Sequence, residues 1–270
     1  MDFSNSNLSK LKIVINSCWA FSDMWNNIYF LYKKYWANHP ELLIVSDKNE
    51  NKKLFPNIMC FEGEMTSRLL NALREIDSKY IFLSFDDYYL SKKVNVERLS
   101  QLLNEMEIKD VDYCRIFSMP KVRGKKDKNL KYKILPLIRI YEVNFYPSIW
   151  KKEALLKVLK ENEVIWKAEA RITRRSREKS LKCIYINNKN VFDFVDIVRK
   201  GKYLRSGYSF IKKNGLYLSS RLKRTIKETV HLNLRSFVAN HIPIKFKNLL
   251  KKLNKGKNRV YYSDYENTDD

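Results

Sequence analysis

Short apolar runs alternate with amphipathic stretches over the first 120 residues, which is the pattern of an α/β protein. Continuous apolar runs predict strands that are buried on both faces of a parallel sheet, at residues 12–17, 42–46, 57–61, 80–85 and 112–117. Apolar residues at every third or fourth position predict the intervening helices, with N-caps at Ser22, Thr66 and Asn95. This order predicts a three-layer α/β domain with a mainly parallel sheet.

The second half of the chain is less regular. Residues 121–133 are charged and predict a loop, and residues 134–141 and 144–149 predict the two strands of a hairpin. An amphipathic helix over 152–160 and a late strand over 182–186 follow.

The strand predicted over residues 80–85 runs directly into Asp86 and Asp87. Open α/β sheets bind ligands beyond the carboxyl ends of their strands. Two carboxylates at that place require compensation, which a divalent cation carrying a sugar-nucleotide pyrophosphate would supply. The alternative interpretation is that the two acids cap the next segment or pair with surface lysines.

Charge is distributed unevenly along the chain. Eighteen lysines and arginines but one acid lie between Arg199 and Arg259, so this segment carries +17 of the net charge of +23. Such asymmetry indicates a polyanionic partner, either a membrane surface or a nucleic acid. No apolar run reaches 18 residues, and the polar N-terminus predicts no signal peptide, so we expect a cytoplasmic protein. Four scattered cysteines predict free thiols.

Several segments together resemble bacterial GT-A-like glycosyltransferases of capsule, O-antigen and exopolysaccharide gene clusters. They occur in the expected order over about the first 205 residues: Ser17 to Trp25, Ser67-Arg68-Leu69-Leu70, Phe85-Asp86-Asp87-Tyr88, Pro147-Ser148-Ile149-Trp150, Glu163-x-x-Trp166-x-x-Glu169, and Arg199-Lys200-Gly201-Lys202. The resemblance implies a GT-A-like, Rossmann-like fold with a nucleotide-sugar-dependent catalytic domain at 1–205. It also implies a nucleotide-diphosphate sugar as donor.

By the same resemblance, Asp86 and Asp87 would hold Mn²⁺ or Mg²⁺, although Tyr88 stands where the third residue of an Asp-x-Asp motif would lie. Alternatively, one acid binds sugar or ribose hydroxyls and no metal is used. Ser17 and Arg68 are further candidates for donor binding. Arg199, Lys200 and Lys202 are candidates for binding the phosphates, and the alternative is a solvated basic turn.

A base is needed to take the proton of the acceptor hydroxyl. The resemblance makes Glu169 the first candidate and Glu163 the second, with the Trp166 ring offered to a sugar. The competing interpretation places Trp166 in the core and pairs Glu169 with Arg171 or Arg174.

Residues 206–270 are predicted as basic amphipathic helices. One apolar stripe runs through Leu222, Ile226, Val230 and Leu234, and a shorter one follows Pro243. Such helices bind anionic membranes, although the stripes could instead pack on the catalytic domain. We therefore expect a glycosyltransferase on the inner face of the cell membrane, acting on a glycan or lipid-linked glycan and not on nucleic acid. The alternatives are a basic nucleic-acid-binding protein and a non-catalytic assembly factor.

Overall fold

The computed structural model describes residues 7–55, 57–117, 122, 132–186 and 191–241, with backbone alone for 235–241. Its strands are β1 (Leu11–Asn16), β2 (Leu42–Ser46), β3 (Ile58–Cys60), β4 (Tyr80–Phe85), β5 (Tyr88–Leu90), β6 (Tyr113–Arg115), β7 (Lys133–Ile134), β8 (Ser148–Lys151), β9 (Cys183–Tyr185), β10 (Phe194–Asp196), β11 (Val198–Arg199) and β12 (Lys202–Tyr203). Its helices are α1 (Trp25–Tyr35), α2 (Met65–Glu75), α3 (Val96–Ile108), α4 (Lys152–Val158), α5 (Ile165–Glu178), α6 (Arg205–Lys213) and α7 (Ile226–His241).

The predicted three-layer α/β architecture is confirmed. The main sheet has the order β3-β2-β1-β4-β8-β6-β9-β7, and β1 pairs in parallel with both β2 and β4. Strand residues alternate between two cores: Ile13 packs with α1 and α3, whereas Val14 packs with α2, α4 and α5. The cysteines are free, as predicted.

The helix caps match the sequence at one of three places. Asn95 caps α3, because its side chain accepts a hydrogen bond from the Arg98 N–H at 2.9 Å. The prediction for Ser22 is wrong, since residues 19–24 form a 3₁₀ turn and α1 begins at Trp25. The prediction for Thr66 is also wrong, because Thr66 lies inside α2 and its hydroxyl donates to the Glu163 carbonyl at 2.7 Å.

The hairpin predicted over residues 134–149 is wrong. Positive φ values at Leu137 (55°) and Tyr141 (68°) interrupt any extended strand there, and the Glu142 carboxylate accepts the Ile138 N–H at 2.7 Å. Leu135, Leu137, Val143 and Phe145 are buried in an irregular segment, whereas Ile138 is exposed. Only β8 follows, and it lies antiparallel between β4 and β6.

The basic C-terminal part of the chain returns to the domain before it reaches α7. Asn27 exchanges hydrogen bonds with the backbone of Tyr217, at 2.8 and 3.0 Å, and Arg221 pairs with Asp23 at 2.6 Å. We call residues 214–224 the return segment. No helix among the described residues is long and apolar enough to cross a membrane. The helix predicted after Pro243 and nearly all of the loop predicted over 121–133 lie outside the described residues.

Close backbone packing at Gly207 allows α6 to join the domain. A Cβ at this position would lie 2.6 Å from Ile197 Cα and 2.7 Å from the Ile197 carbonyl oxygen. We expect Gly207→Ala to lower the free energy of unfolding by about 1–3 kcal/mol, because two backbones must move apart. Urea denaturation measures the change. Ser209→Ala, at an exposed position of the same helix, is the control, and equal stability of the two variants would contradict the prediction.

Candidate functional site

Side chains at the carboxyl ends of β1 and β4 form the centre of the site. Ser17 follows β1 and Asp86 follows β4, and these parallel neighbours end at the same edge of the sheet. The Ser17 hydroxyl donates a hydrogen bond to the Asp86 carboxylate, and the Trp25 indole N–H donates to Ser17 Oγ at 2.9 Å. Ser17 and Asp86, both predicted to bind the donor, are therefore brought together and buried.

Burial raises the pKa of Asp86 to about 7. The hydrogen bond from Ser17 and the charge of Arg221 oppose this rise, while Asp23 adds to it. Arg221 belongs to the return segment. Two of its guanidinium nitrogens donate hydrogen bonds to the Asp23 carboxylate, at 2.6 and 2.8 Å. A distant part of the chain thus supplies a positive charge that acts on the buried acid.

Asp87 lies near a third carboxylate, Asp196, which the sequence reasoning missed. Strand β5 follows Asp87 and pairs antiparallel with β10, which sets Asp196 opposite Tyr88. Burial raises the pKa of Asp87 well above its usual range, and the charges of Asp86 and Asp196 add to the rise, whereas Arg199 opposes it. Pairing of two such short strands leaves no local signal that could have revealed Asp196.

Two oxygens of this group could receive a cation. Asp87 Oδ1 and Asp196 Oδ1 are buried and have no hydrogen-bond partner among the described residues. Within those residues, no group of three or more His, Cys, Asp or Glu forms a ready metal site. A Mg²⁺ ion, however, commonly takes one or two carboxylates together with waters and substrate phosphates. The residues therefore fit a cation at Asp87 and Asp196, while Asp86 is engaged by Ser17.

The predicted residue Arg68 lies at the β1 and β2 side of the same edge. It is buried on α2, and its Nη1 donates to the Gly63 carbonyl at 2.6 Å. Burial acts to raise the pKa of Asp47, but hydrogen bonds from the Trp19 N–H and the Ser46 hydroxyl, together with the charge of Arg68, lower it overall. Asp47 directly follows β2 and was missed by the sequence reasoning. Its position alone, just beyond a predicted strand, could have indicated it.

Glu169 lies at the β8 side of the site. Burial raises the pKa of this carboxyl to about 7, against a hydrogen bond from the Phe145 backbone and the charge of Arg115. Burial also raises the pKa of the Tyr146 hydroxyl. The negative charges of Glu169, Asp196 and Asp87 add to this rise. Tyr146 is therefore close to both Glu169 and the acidic group, and the structure brings the predicted base to the same region.

Glu163 does not lie with these residues. Its buried carboxylate accepts hydrogen bonds from Arg171 at 2.6 Å and from Arg175 at 2.7 and 2.9 Å, and its backbone pairs with Thr66 of α2. These contacts join α2 to α5. The spacing of one acid and two arginines could have indicated this network. Trp166 is 54% exposed, so the core interpretation of this ring is wrong.

The predicted basic turn is the tip of the β11–β12 hairpin, with positive φ at Lys200 (53°) and Gly201 (72°). Arg199 pairs with Asp196 and therefore lies at the acidic group. Lys202 turns to Glu228 of α7 at 2.7 Å, and Lys200 is exposed. Of the three cations, Arg199 is the one that the structure places beside Asp87 and Asp196.

The architecture and the acidic edge define a GT-A-like α/β domain. Residues 1–349 of Staphylococcus aureus TarS in complex with UDP-GlcNAc are similar to this chain, with a TM-score of 0.51 and 14% identity over 91% of this chain and 72% of that chain. The TarS 1–349 structure and its UDP complex give TM-scores of 0.49 and 0.48, each at 14% identity over 68% of this chain.

In these two latter matches, the chain covers 59% of the length of the TarS fragment. Neither a protein-family model nor a curated protein sequence matches the chain. At 14% identity, the likeness to TarS with UDP-GlcNAc shows the fold.

The buried Glu163 network gives a stability prediction. We expect Glu163→Gln to lower the free energy of unfolding by about 3 kcal/mol or more, because two buried guanidinium groups lose their counter-charge. The matched control is Glu161→Gln, which removes the exposed pair with Arg74 at 2.8 Å and should cost less than about 1 kcal/mol. Chemical denaturation of both variants checks this, and similar losses would contradict it.

Proposed function

We propose that this protein is a glycosyltransferase that uses a nucleotide-diphosphate sugar. The observation that carries the proposal is the acidic edge, where Asp86, Asp87 and Asp196 lie at the carboxyl end of β4 together with Arg199. The likeness in fold to TarS, which binds UDP-GlcNAc, supports the same assignment. Glycosyl transfer builds negative charge on the leaving diphosphate, so buried acids that attract a cation suit the donor side of this reaction.

The donor would lie along the edge from β2 to β4. Ser17, Arg68 and Asp86 bind the nucleotide end, and Asp47 adds a carboxylate there. A Mg²⁺ or Mn²⁺ ion bound by Asp87 and Asp196 would neutralise charge on the diphosphate.

Arg199 binds a phosphate oxygen directly, because a guanidinium matches this group with parallel hydrogen bonds. Lys200 and Lys202 act beside it only as additional positive charge.

Glu169 acts as the base that takes the proton of the acceptor hydroxyl. Its pKa of about 7 suits this task, since a base works best when its pKa is near the working pH. Glu163 is less suited, because two arginines occupy its oxygens. Tyr146, close to both Glu169 and the acids, can hydrogen-bond an incoming hydroxyl.

The acceptor is a glycan or lipid-linked glycan of surface polysaccharide synthesis, and the enzyme acts on the inner face of the cell membrane. The support is an exposed apolar row on and just before α7: Leu222, Ile226, Val230 and Leu234 are 59–69% exposed. Lysines 223 and 227 flank this row. An apolar row with neighbouring cations is typical of helices that lie in an anionic bilayer surface.

Donor binding is the first test. We expect UDP-GlcNAc to bind the full chain in calorimetry with Mn²⁺, and Asp87→Asn to weaken binding about tenfold or more, because a buried ligand of the cation is lost. The control is Asp77→Asn, an exposed acid before β4, at the opposite end of that strand. Absence of binding by the unmodified protein would refute the donor class, and binding without turnover would favour the assembly-factor alternative.

The role of Glu169 gives a pH prediction. Because the base must be deprotonated, release of UDP from UDP-GlcNAc should rise through about pH 7 and level off above it. Glu169→Gln should lower the rate by a factor of about 10²–10⁴ and flatten the profile, with KM unchanged. Glu178→Gln, at the far end of α5, is the control. A variant that retained the wild-type profile would exclude Glu169 as the base.

Membrane binding rests on the exposed row of α7. We expect Ile226→Ser with Val230→Ser to weaken flotation with phosphatidylglycerol vesicles by about tenfold or more, since each exposed apolar side chain contributes about 1.5–3 kcal/mol when buried. Phe30→Ser with Ile108→Ser removes two exposed apolar residues elsewhere and should leave flotation unchanged. Equal loss in both double variants would argue against a specific membrane face.

A further inference from the structure

A cavity of about 340 Å³ opens between the β11–β12 turn and the first turns of α7. This volume lies at the small end of the range of ligand pockets. Arg199, Lys200, Arg224 and Lys227 line it, against one acid, Glu228. His231 and Leu232 form the rest of its wall.

The one acid among the described residues that line this cavity is already engaged. Glu228 accepts hydrogen bonds from Lys202 Nζ at 2.7 Å and from the Thr225 N–H at 2.8 Å. The hydrogen bond from Lys202 lowers the pKa of Glu228 to about 2. The negative charge of Glu228 is therefore compensated by Lys202 and by the N-terminus of α7, so it does not neutralise the cations of the wall.

Three of the four cations form no ion pair with a carboxylate in the part of the chain that the structure describes. Among the described residues, neither Lys200, Arg224 nor Lys227 forms an ion pair. Arg224 donates one Nη2 bond to the Arg199 carbonyl, at 2.5 Å, and its buried Nε has no partner within the described residues. A buried guanidinium N–H without an acceptor is costly, and an anionic ligand would satisfy it.

The cavity adjoins the reaction centre but lies apart from the nucleotide end. Arg199 belongs to both, because its guanidinium pairs with Asp196 beside Asp87. None of the lining residues comes from β1, β2 or α2, where Ser17, Asp47 and Arg68 lie. An anion bound here would therefore approach the acidic edge from the side of α7.

The same helix connects the cavity to the proposed membrane face. Lys227 and His231 each follow directly after an exposed apolar residue of the row, Ile226 and Val230. Residues adjacent along a helix point about 100° apart, so the cationic wall and the apolar row lie side by side.

We infer that this cavity, the α7 pocket, binds a phosphate group of the sugar acceptor. The inference rests on the proposed function and specifies its acceptor: a glycan attached to a lipid diphosphate or joined by phosphodiesters. Arg224 offers the planar guanidinium that pairs with phosphate oxygens, and Lys200 and Lys227 offer point charges. The acceptor phosphate would thereby hold the acceptor hydroxyl on the Glu169 and Asp87 side.

Inorganic pyrophosphate is the first probe, titrated by calorimetry into the full chain in metal-free buffer, so that no cation can hold it at the acidic edge. We expect Arg224→Gln and Lys227→Gln each to weaken pyrophosphate binding about tenfold, as loss of one charge-assisted contact predicts. In Lys227→Gln, UDP-GlcNAc binding with Mn²⁺ should change less than twofold. Lys227→Gln serves if Arg224→Gln misfolds, because Lys227 is exposed.

The control is Lys157→Gln with Lys160→Gln, two exposed lysines in and just after α4, which removes equal or greater charge elsewhere. Unchanged pyrophosphate binding in both pocket variants, or an equal loss in the control, overturns the inference. Failure of UDP-GlcNAc to bind would contradict the donor proposal, but the pyrophosphate result would still test the α7 pocket. Failure of the proposed function and failure of this inference can therefore be distinguished.

The source of the phosphate is tested with two further probes. Phosphatidylcholine vesicles containing a polyprenyl diphosphate represent the lipid carrier, and a soluble glycerol-phosphate oligomer represents a phosphodiester polymer. Binding of either probe that falls about tenfold in Lys227→Gln supports the pocket and identifies the source. The inference is contradicted if neither probe binds, or if both bind and Lys227→Gln leaves their binding unchanged.

Discussion

Burial of negative charge at the end of β4 is the constraint on which the rest of the structure depends. Asp86 and Asp87 are adjacent, buried and mutually repulsive, so each needs compensation from other parts of the chain. Ser17 supplies a hydrogen bond from β1, while Arg199 and Arg221 supply charge from segments more than one hundred residues later. The antiparallel β5–β10 pair and the return segment both lie at this edge of the sheet. They bring the compensating charges to it.

The sequence predicted the elements whose signals are local. Continuous apolar runs located β1, β2 and β4, because strands buried on both faces must be apolar throughout. Asn95 was identifiable as a cap because its side chain bonds within its own turn. The predicted hairpin failed for the opposite reason: an irregular segment with positive φ at Leu137 and Tyr141 can also bury alternate apolar residues. Thr66 resembles a cap, yet its hydroxyl bonds a residue 97 positions away.

The same distinction holds at the site. Asp86, Asp87 and Ser17 follow recognisable strands, so sequence position sufficed to find them. Asp196 and Arg221 matter only through tertiary pairing with Tyr88 and Asp23, which no local pattern encodes. Glu163 and Glu169 share one acidic stretch, and their environments separate them: two arginines neutralise the first, while the second is buried with weaker compensation and a raised pKa.

The return segment has a consequence for how the chain can be divided. A cut at residue 205, where composition changes, would appear to isolate a minimal catalytic unit. It would also remove Arg221, leaving Asp23 without its counter-ion and Asp86 without a positive charge that acts on it, and would expose Asn27 where Tyr217 now lies. The change in composition therefore marks a shift in surface chemistry, whereas the contacts with the domain continue through the return segment. Any shortened version intended for crystallisation or engineering should keep that portion intact.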